Sequence, residues 1–223
     1  MGTLCVRRVI CLPNAARADR LKSKIGIFAG TFNPIHAGHI AFALAAAKAA
    51  ELDEVIFLPE RRPRHKPGVE HFGHRTAMIA RAILPHNKLK LLELPDVQFD
   101  VERTLPKLQQ EFAGSELYFL MGSDSFMALN SSSWSDSNLR SFLKSAGLVV
   151  GVRSGDDYQK VLSAAGQLPL KPSALLVIES PASDISSSKI RRAITTNQPA
   201  SGLLKSASKY AKAQWLYLPI PKG

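Results

Sequence analysis

Residues 25–39 read IGIFAGTFNPIHAGH, and how this stretch folds decides how the rest of the chain is read. Ile25 to Ala29 is a short apolar run suited to a strand covered on both faces, and it stops at Gly30. The Ala-rich segment from His39 to Glu51 has the propensity and the small side chains of a helix packed close on a sheet. Glu54 to Leu58 is the next strand, halted by Pro59. Strand, loop, helix and strand make a βαβ unit, whose two strands must be parallel.

The alternation continues down the chain. A helix is expected from Gly73 to Leu84, ending at Pro85, with others near Leu105 to Phe112, Asn138 to Ser145, Asp157 to Ala165 and from Ser187 onward. Strands are expected at Leu89 to Leu94, Leu117 to Met121, Gly147 to Val152 and Ala174 to Glu179. The fold class is therefore α/β, a Rossmann-like doubly wound parallel sheet of five to six strands with helices on both faces. In such sheets ligands bind past the carboxyl ends of the strands, where the strand order reverses, so the loops after strands are where chemistry is sought.

Bulk properties narrow the class without naming an activity. A chain of 223 residues suits one globular domain, assigned to 25–223, and no apolar run approaches the length of a membrane span. The net charge of +11 attracts anions, but no run of five like charges marks a nucleic-acid tail. Cys5 and Cys11 can build neither a zinc site nor a disulfide framework, which fits a reducing compartment. Residues 1–24 are basic, with Asp19 their single acid, and are expected to lie outside the fold as a disordered extension; an organellar transit segment is the alternative.

Four loops carry candidate chemistry. In GTFNPIHAGH (Gly30–His39), Gly30 lets the backbone pass close to a phosphate, Asn33-Pro34 suits a turn, and His36 and His39 are brought to a helix amino end, where anions are favoured. A zinc site from the histidine pair lacks a third ligand nearby. ISSSKIRR (Ile185–Arg192) offers the hydroxyls of Ser186, Ser187 and Ser188 and the guanidinium fork of Arg191 as a phosphate receptor, although serines are also ordinary helix caps. PERRPRHK (Pro59–Lys66), followed by His74-Arg75, is a basic loop that would look the same if it were merely solvated. MGSDSFMALNSSSW (Met121–Trp134) places Gly122 and Asp124 just past a strand.

Together these motifs resemble the HxGH nucleotidyltransferases and, within them, the nicotinate-mononucleotide adenylyltransferases, over nearly everything from Ile25 to Leu218. The resemblance implies adenylyl transfer from ATP to nicotinate mononucleotide, or also nicotinamide mononucleotide, giving the dinucleotide and pyrophosphate of NAD biosynthesis. It assigns His36, His39, Lys66 and Arg191 to catalysis, with His65 in support. Gly30, Thr31, Phe32, Gly122, Asp124, Ile185, Ser187 and Ser188 would join His36, His39 and Arg191 around ATP. Asn33, Lys66, Arg75, Thr104 and Trp134 would face the mononucleotide, with Trp134 stacked on the pyridine ring and Arg192 in solvent. Of the family's Tyr-Thr-x-Asp-Thr-Leu substrate loop this chain keeps only Thr104-Leu105, and Arg103 is open to two readings, as a carboxylate partner or as a solvent-facing helix residue.

A mononucleotide phosphate is already largely ionised at neutral pH, so no general base is needed and positioning and electrostatics carry the rate. Mg²⁺ is expected to arrive with ATP, with no dedicated protein ligands. The expected partners are ATP and a pyridine mononucleotide in the cytoplasm, with no membrane or nucleic acid; assembly into a homo-oligomer is open. The competing readings are a pantetheine-phosphate adenylyltransferase, a cytidylyltransferase, or a nucleic-acid-binding module on an inactive transferase scaffold. The first usually has Thr where His36 stands, and the second carries an Arg-Thr-x-Gly-Ile-Ser-Thr stretch that is absent here. The third would bind with steep salt dependence and no response to mononucleotide.

Overall fold

The computed structural model describes residues 22–63, 66, 68–131, 133–153 and 155–218, residues 155 and 156 by their backbone alone. The chain runs β1 (Lys24–Gly30), α1 (Ala37–Ala49), β2 (Glu54–Pro59), α2 (Phe72–Ile83), β3 (Leu89–Leu91), α3 (Thr104–Glu111) and β4 (Glu116–Gly122). It continues through α4 (Ser123–Met127), a 3₁₀ turn (Ala128–Asn130), α5 (Asp136–Ser145), β5 (Gly147–Val152) and α6 (Gly155–Gly166), then β6 (Leu175–Glu179), α7 (Ser187–Thr195) and α8 (Lys205–Ala213).

The six strands form one sheet in the order β3-β2-β1-β4-β5-β6, every neighbouring pair parallel. Side chains alternate between its faces, as the pleat requires. Phe28, Leu120, Val149 and Leu176 enter one core with α1, α2 and α8. Ile27, Phe119, Val150 and Val177 enter the other with α3, α5 and α6. This is the expected doubly wound sheet, with six strands. Because β1 and β4 are adjacent but their connections lead to opposite edges, the loops beyond their carboxyl ends diverge and leave a crevice between them.

The elements depart from the sequence reading at identifiable places. Lys24 pairs with Glu116, so it belongs to β1 and not to the basic preface, whose residues 1–21 lie outside those described. α1 starts at Ala37 because the extended His36 serves as its N-cap. β3 ends at Leu91, three residues short. The short α4 was not anticipated, since five residues are too few to show a period. The final helical stretch divides into α7 and α8 around a turn that holds Pro199 and Gly202, the latter at φ +81°.

Phe142 stands at the centre of the second core, edge-on to Phe119 at 4.8 Å between ring centroids. Phe142→Ala should cost about 3–5 kcal/mol of stability. Urea denaturation followed by circular dichroism measures it; a loss below 1 kcal/mol would contradict this packing.

Candidate active site

A cleft of about 650 Å³ opens past the carboxyl ends of β1, β4, β5 and β6. Its floor is aromatic: Phe28 and Phe32 meet edge to face at 5.3 Å, and Phe42 lies under Gly151 of β5. A Cβ at Gly151 would come within 2.7 Å of the Phe42 ring, so only glycine lets the floor sit this close to the sheet.

The loop between β1 and α1 forms one wall. The backbone N–H of His36 donates to Nδ1 of His39 at 3.2 Å. That bond makes Nδ1 an acceptor, so a neutral His39 carries its proton on Nε2. The two rings stack with centroids 3.6 Å apart, a distance at which two imidazolium charges repel strongly. Burial pulls the His36 imidazole down from its ordinary value to about 4. His39 is held well below its ordinary value by burial first, then by neighbouring His36 and Lys66. Both histidines are thus neutral hydrogen-bonding groups near pH 7. Gly38 keeps the pair together, since a Cβ there would lie 3.1 Å from the His36 ring and 3.1 Å from the carbonyl of Ala182.

The segment opening α7 forms the facing wall and is bonded directly to the first. Arg191 Nη1 donates to the carbonyl of Asn33 at 2.7 Å, and the Ser187 hydroxyl donates to the carbonyl of Pro34 at 2.9 Å. Ser186 is spent as the N-cap, accepting from the N–H of Lys189, whereas Ser188 accepts from Arg191 Nη2 at 3.3 Å. Ile185 and Ser188 line the cleft with Arg191, while Arg192 is exposed, as expected.

Lys66 reaches in from the basic loop and donates to the Thr31 hydroxyl at 2.9 Å. Beyond β4, Gly122 is the N-cap of α4 and Asp124 lies exposed in its first turn. Gly30, Thr31, Phe32, Asn33, Gly122 and Asp124 all line the same cleft. His65 lies outside the described residues.

Three assigned residues stand elsewhere. Arg75 is 0% exposed, and its guanidinium donates to the carbonyls of Glu70, Thr31, Glu60 and Arg61 at 2.7–3.0 Å. It is not among the residues that line the cleft; with those donors committed to carbonyls, it ties the basic loop to the β1 loop. Thr104 is buried, its hydroxyl accepting from the N–H of Asp100, and it borders a separate hollow of about 10 Å³ with Asp96, Gln98 and Phe99. Trp134 packs against Phe142 at 5.3 Å and is not among the residues that line the cleft. Arg103 is exposed and pairs with Asp100 at 3.3 Å, which is its solvent-facing reading.

Sequence reasoning missed Arg153, an exposed residue just past β5 that lines the cleft, and Ser180 past β6. No motif flags them, but the rule that ligands sit beyond strand ends could have found both.

The buried histidines make stability depend on pH. The folded value for His36 is about 4, below its unfolded value, and the side chain is 6% exposed. The unfolded chain therefore binds the proton first: the contribution is complete above about pH 6.5 and is lost as pH falls toward 4. Between pH 7 and 5 this group should cost about 2 kcal/mol. Urea titrations at both pH values check it, and His36→Asn should reduce the difference by about that amount, with His39 supplying the remainder. An equal slope in the two proteins would remove His36 as the cause.

Residues 27–193 match the model of the cytidylyltransferase-like family. A probable nicotinate-nucleotide adenylyltransferase of Neisseria meningitidis is 30% identical over 201 residues, covering 87% of this chain and 98% of that one. A probable nicotinate-nucleotide adenylyltransferase of Clostridium perfringens is 40% identical over 145 residues, covering 62% of this chain and 69% of its own. Among solved structures, the Plasmodium falciparum nicotinic acid mononucleotide adenylyltransferase complexed with NaAD superposes with a TM-score of 0.68, covering 87% of this chain and 97% of that one. Its 18% identity makes that a likeness of fold. By the extent of the family match and the near-complete coverage of its bacterial relative, the chain belongs to the cytidylyltransferase-like family and, within it, to the nicotinate-nucleotide adenylyltransferases.

Proposed function

We infer that this protein transfers the adenylyl group of ATP to nicotinate mononucleotide, forming the dinucleotide and releasing pyrophosphate, as a step of NAD biosynthesis. The observation that carries this reading is the joining of two remote phosphate-type motifs, 30–39 and 185–191, into one cleft by the bond from Arg191 to the Asn33 carbonyl. A phosphate oxygen of the mononucleotide forms a bond to the α-phosphorus of ATP, and the bond from that phosphorus to the bridging oxygen breaks. The negative charge that grows on pyrophosphate needs donors already in place, and water need not reorganise to supply them.

His39 can supply its Nε2–H to a phosphoryl oxygen, because its Nδ1 is held by the His36 N–H. Lys66 and Arg191 add fixed charges at the walls, and Arg153 adds a third on the side of β5. Asp124 is the one carboxylate among the residues lining the cleft, which suits a sugar hydroxyl or a metal-bound water. No group of three or more metal-type side chains occurs among the described residues, and a cleft so poor in carboxylates fits Mg²⁺ held mainly by the nucleotide's own phosphates. When bound, the ion would neutralise phosphate charge.

The pyridine end would extend past Ala29, which borders both the cleft and the hollow beside Thr104. A space of about 10 Å³ does not hold a ring, so the mononucleotide must widen it on binding. Trp134 would stack on the ring only after leaving Phe142. The names of the bacterial relatives favour nicotinate over nicotinamide as the acceptor. Among the described residues no helix is long and apolar enough to cross a membrane. The cytoplasm is our proposed location, from the soluble nucleotides that this reaction uses.

Purified protein should release pyrophosphate from ATP and Mg²⁺ with nicotinate mononucleotide more readily than with nicotinamide mononucleotide or phosphopantetheine. Release only with phosphopantetheine, or only from CTP with glycerol phosphate, would move the chain to another branch of the family. Separately, His39→Ala and Arg191→Ala should each lower kcat by about 10²–10³, or roughly 3–4 kcal/mol, while retaining the native circular dichroism spectrum. A folded His39→Ala variant with near-normal turnover would refute the role given to that ring.

A further inference from the structure

Asn33 is 3% exposed, yet three segments remote in sequence end on it. Its carbonyl accepts from Arg191, and its side-chain oxygen accepts from the Tyr217 hydroxyl at 2.8 Å and from the Glu70 N–H at 3.3 Å. A backbone N–H can only donate, so the Glu70 contact fixes which end of the amide is oxygen. The hydroxyl of Tyr217 must then be a donor to it. The oxygen is thus held from two directions, and Asn33 is part of the cleft wall.

Tyr217 is itself fixed through each of its polar groups. Its N–H donates to Glu70 Oε1 at 3.4 Å, its phenol donates to Asn33, and its carbonyl shares the Thr195 hydroxyl, at 3.3 Å, with the Arg191 carbonyl at 2.9 Å. Burial, with Glu70 nearby, raises the phenol above its ordinary value, so it stays protonated across the working pH range. The backbone at Trp215 and Tyr217 has φ of +55° and +61°, a region that bulky side chains enter only when surrounding contacts over-determine it. Leu216 between them is buried in the first core and bonded through its N–H to Ala211.

We propose that Tyr217 is a positioning residue for adenylyl transfer: the strap after α8 passes over the outside of the cleft wall and, through the phenol–Asn33 bond, sets the loop that carries His36 and His39. Tyr217 does not line the cleft, so it acts through Asn33 and not on substrate. The inference rests on the adenylyl-transfer reading for its assay, but its geometry is independent of which acceptor is used.

The test is a double-mutant cycle on the full chain with Tyr217→Phe, Asn33→Ala and both together, assayed with whichever acceptor the wild type uses. A wrong acceptor then shows in the wild-type measurement and leaves the Tyr217 comparison readable. Tyr217→Phe removes one oxygen and keeps the ring, so folding is preserved; melting curves set an assay temperature at which every variant is folded. Under saturating substrates kcat should fall about tenfold, with KM for ATP changed by less than threefold. In the Asn33→Ala background the further loss from Tyr217→Phe should shrink to less than twofold. A Tyr217→Phe protein whose kcat stays within twofold of wild type, with only its melting temperature lowered, would reduce Tyr217 to a structural role. Full additivity of the two substitutions would overturn the route through Asn33.

Discussion

The bond from Arg191 to the carbonyl of Asn33 closes the molecule on itself. β1 lies at the middle of the sheet and β6 at its edge, so the segment after β6 must return across the ends of β5 and β4 to reach the loop after β1. It is held there by the guanidinium and by the Ser187 hydroxyl on Pro34, two donors aimed at successive carbonyls. A hydrogen bond from a charged donor is worth about 1.5–3 kcal/mol net, enough to keep two irregular loops in a single arrangement. The cleft is the space enclosed by that closure.

Arg75 and Arg191 have the same chemistry and different uses, and burial decides between them. Arg75 has no solvent contact and meets four backbone carbonyls, so its charge organises the chain beneath the site. Arg191 meets one carbonyl and one hydroxyl and keeps a face toward the cleft. A buried cation left without its acceptors is costly, which is why Arg75 is surrounded by carbonyls. A cation on the wall can share its donors with a ligand.

The sheet was legible because its strands are short apolar runs punctuated by Gly and Pro, and because parallel strands need helical crossovers. Both phosphate-type motifs could also be read, since each follows a strand and opens a helix. The rest was hidden for physical reasons. Carbonyl and phosphate oxygens ask the same of a guanidinium, so the sequence could not separate Arg75 from Arg191. Trp134 suits a pyridine ring or a neighbouring Phe142 equally well. Arg153 stands alone, without a surrounding pattern. Tyr217 reaches Asn33 across 184 positions, through a backbone turn at a bulky residue that local preferences argue against.

The stacked histidine pair has one more consequence. Two imidazoles that are uncharged in the free protein face a compartment suited to a polyanion, and a polyanion placed beside them raises their basicity. Both rings start well below neutrality and stack 3.6 Å apart, where two charges repel, so the pair meets such a ligand as hydrogen-bond donors. The ring pair thus gives that wall hydrogen-bond donors without adding to the charge its cations carry.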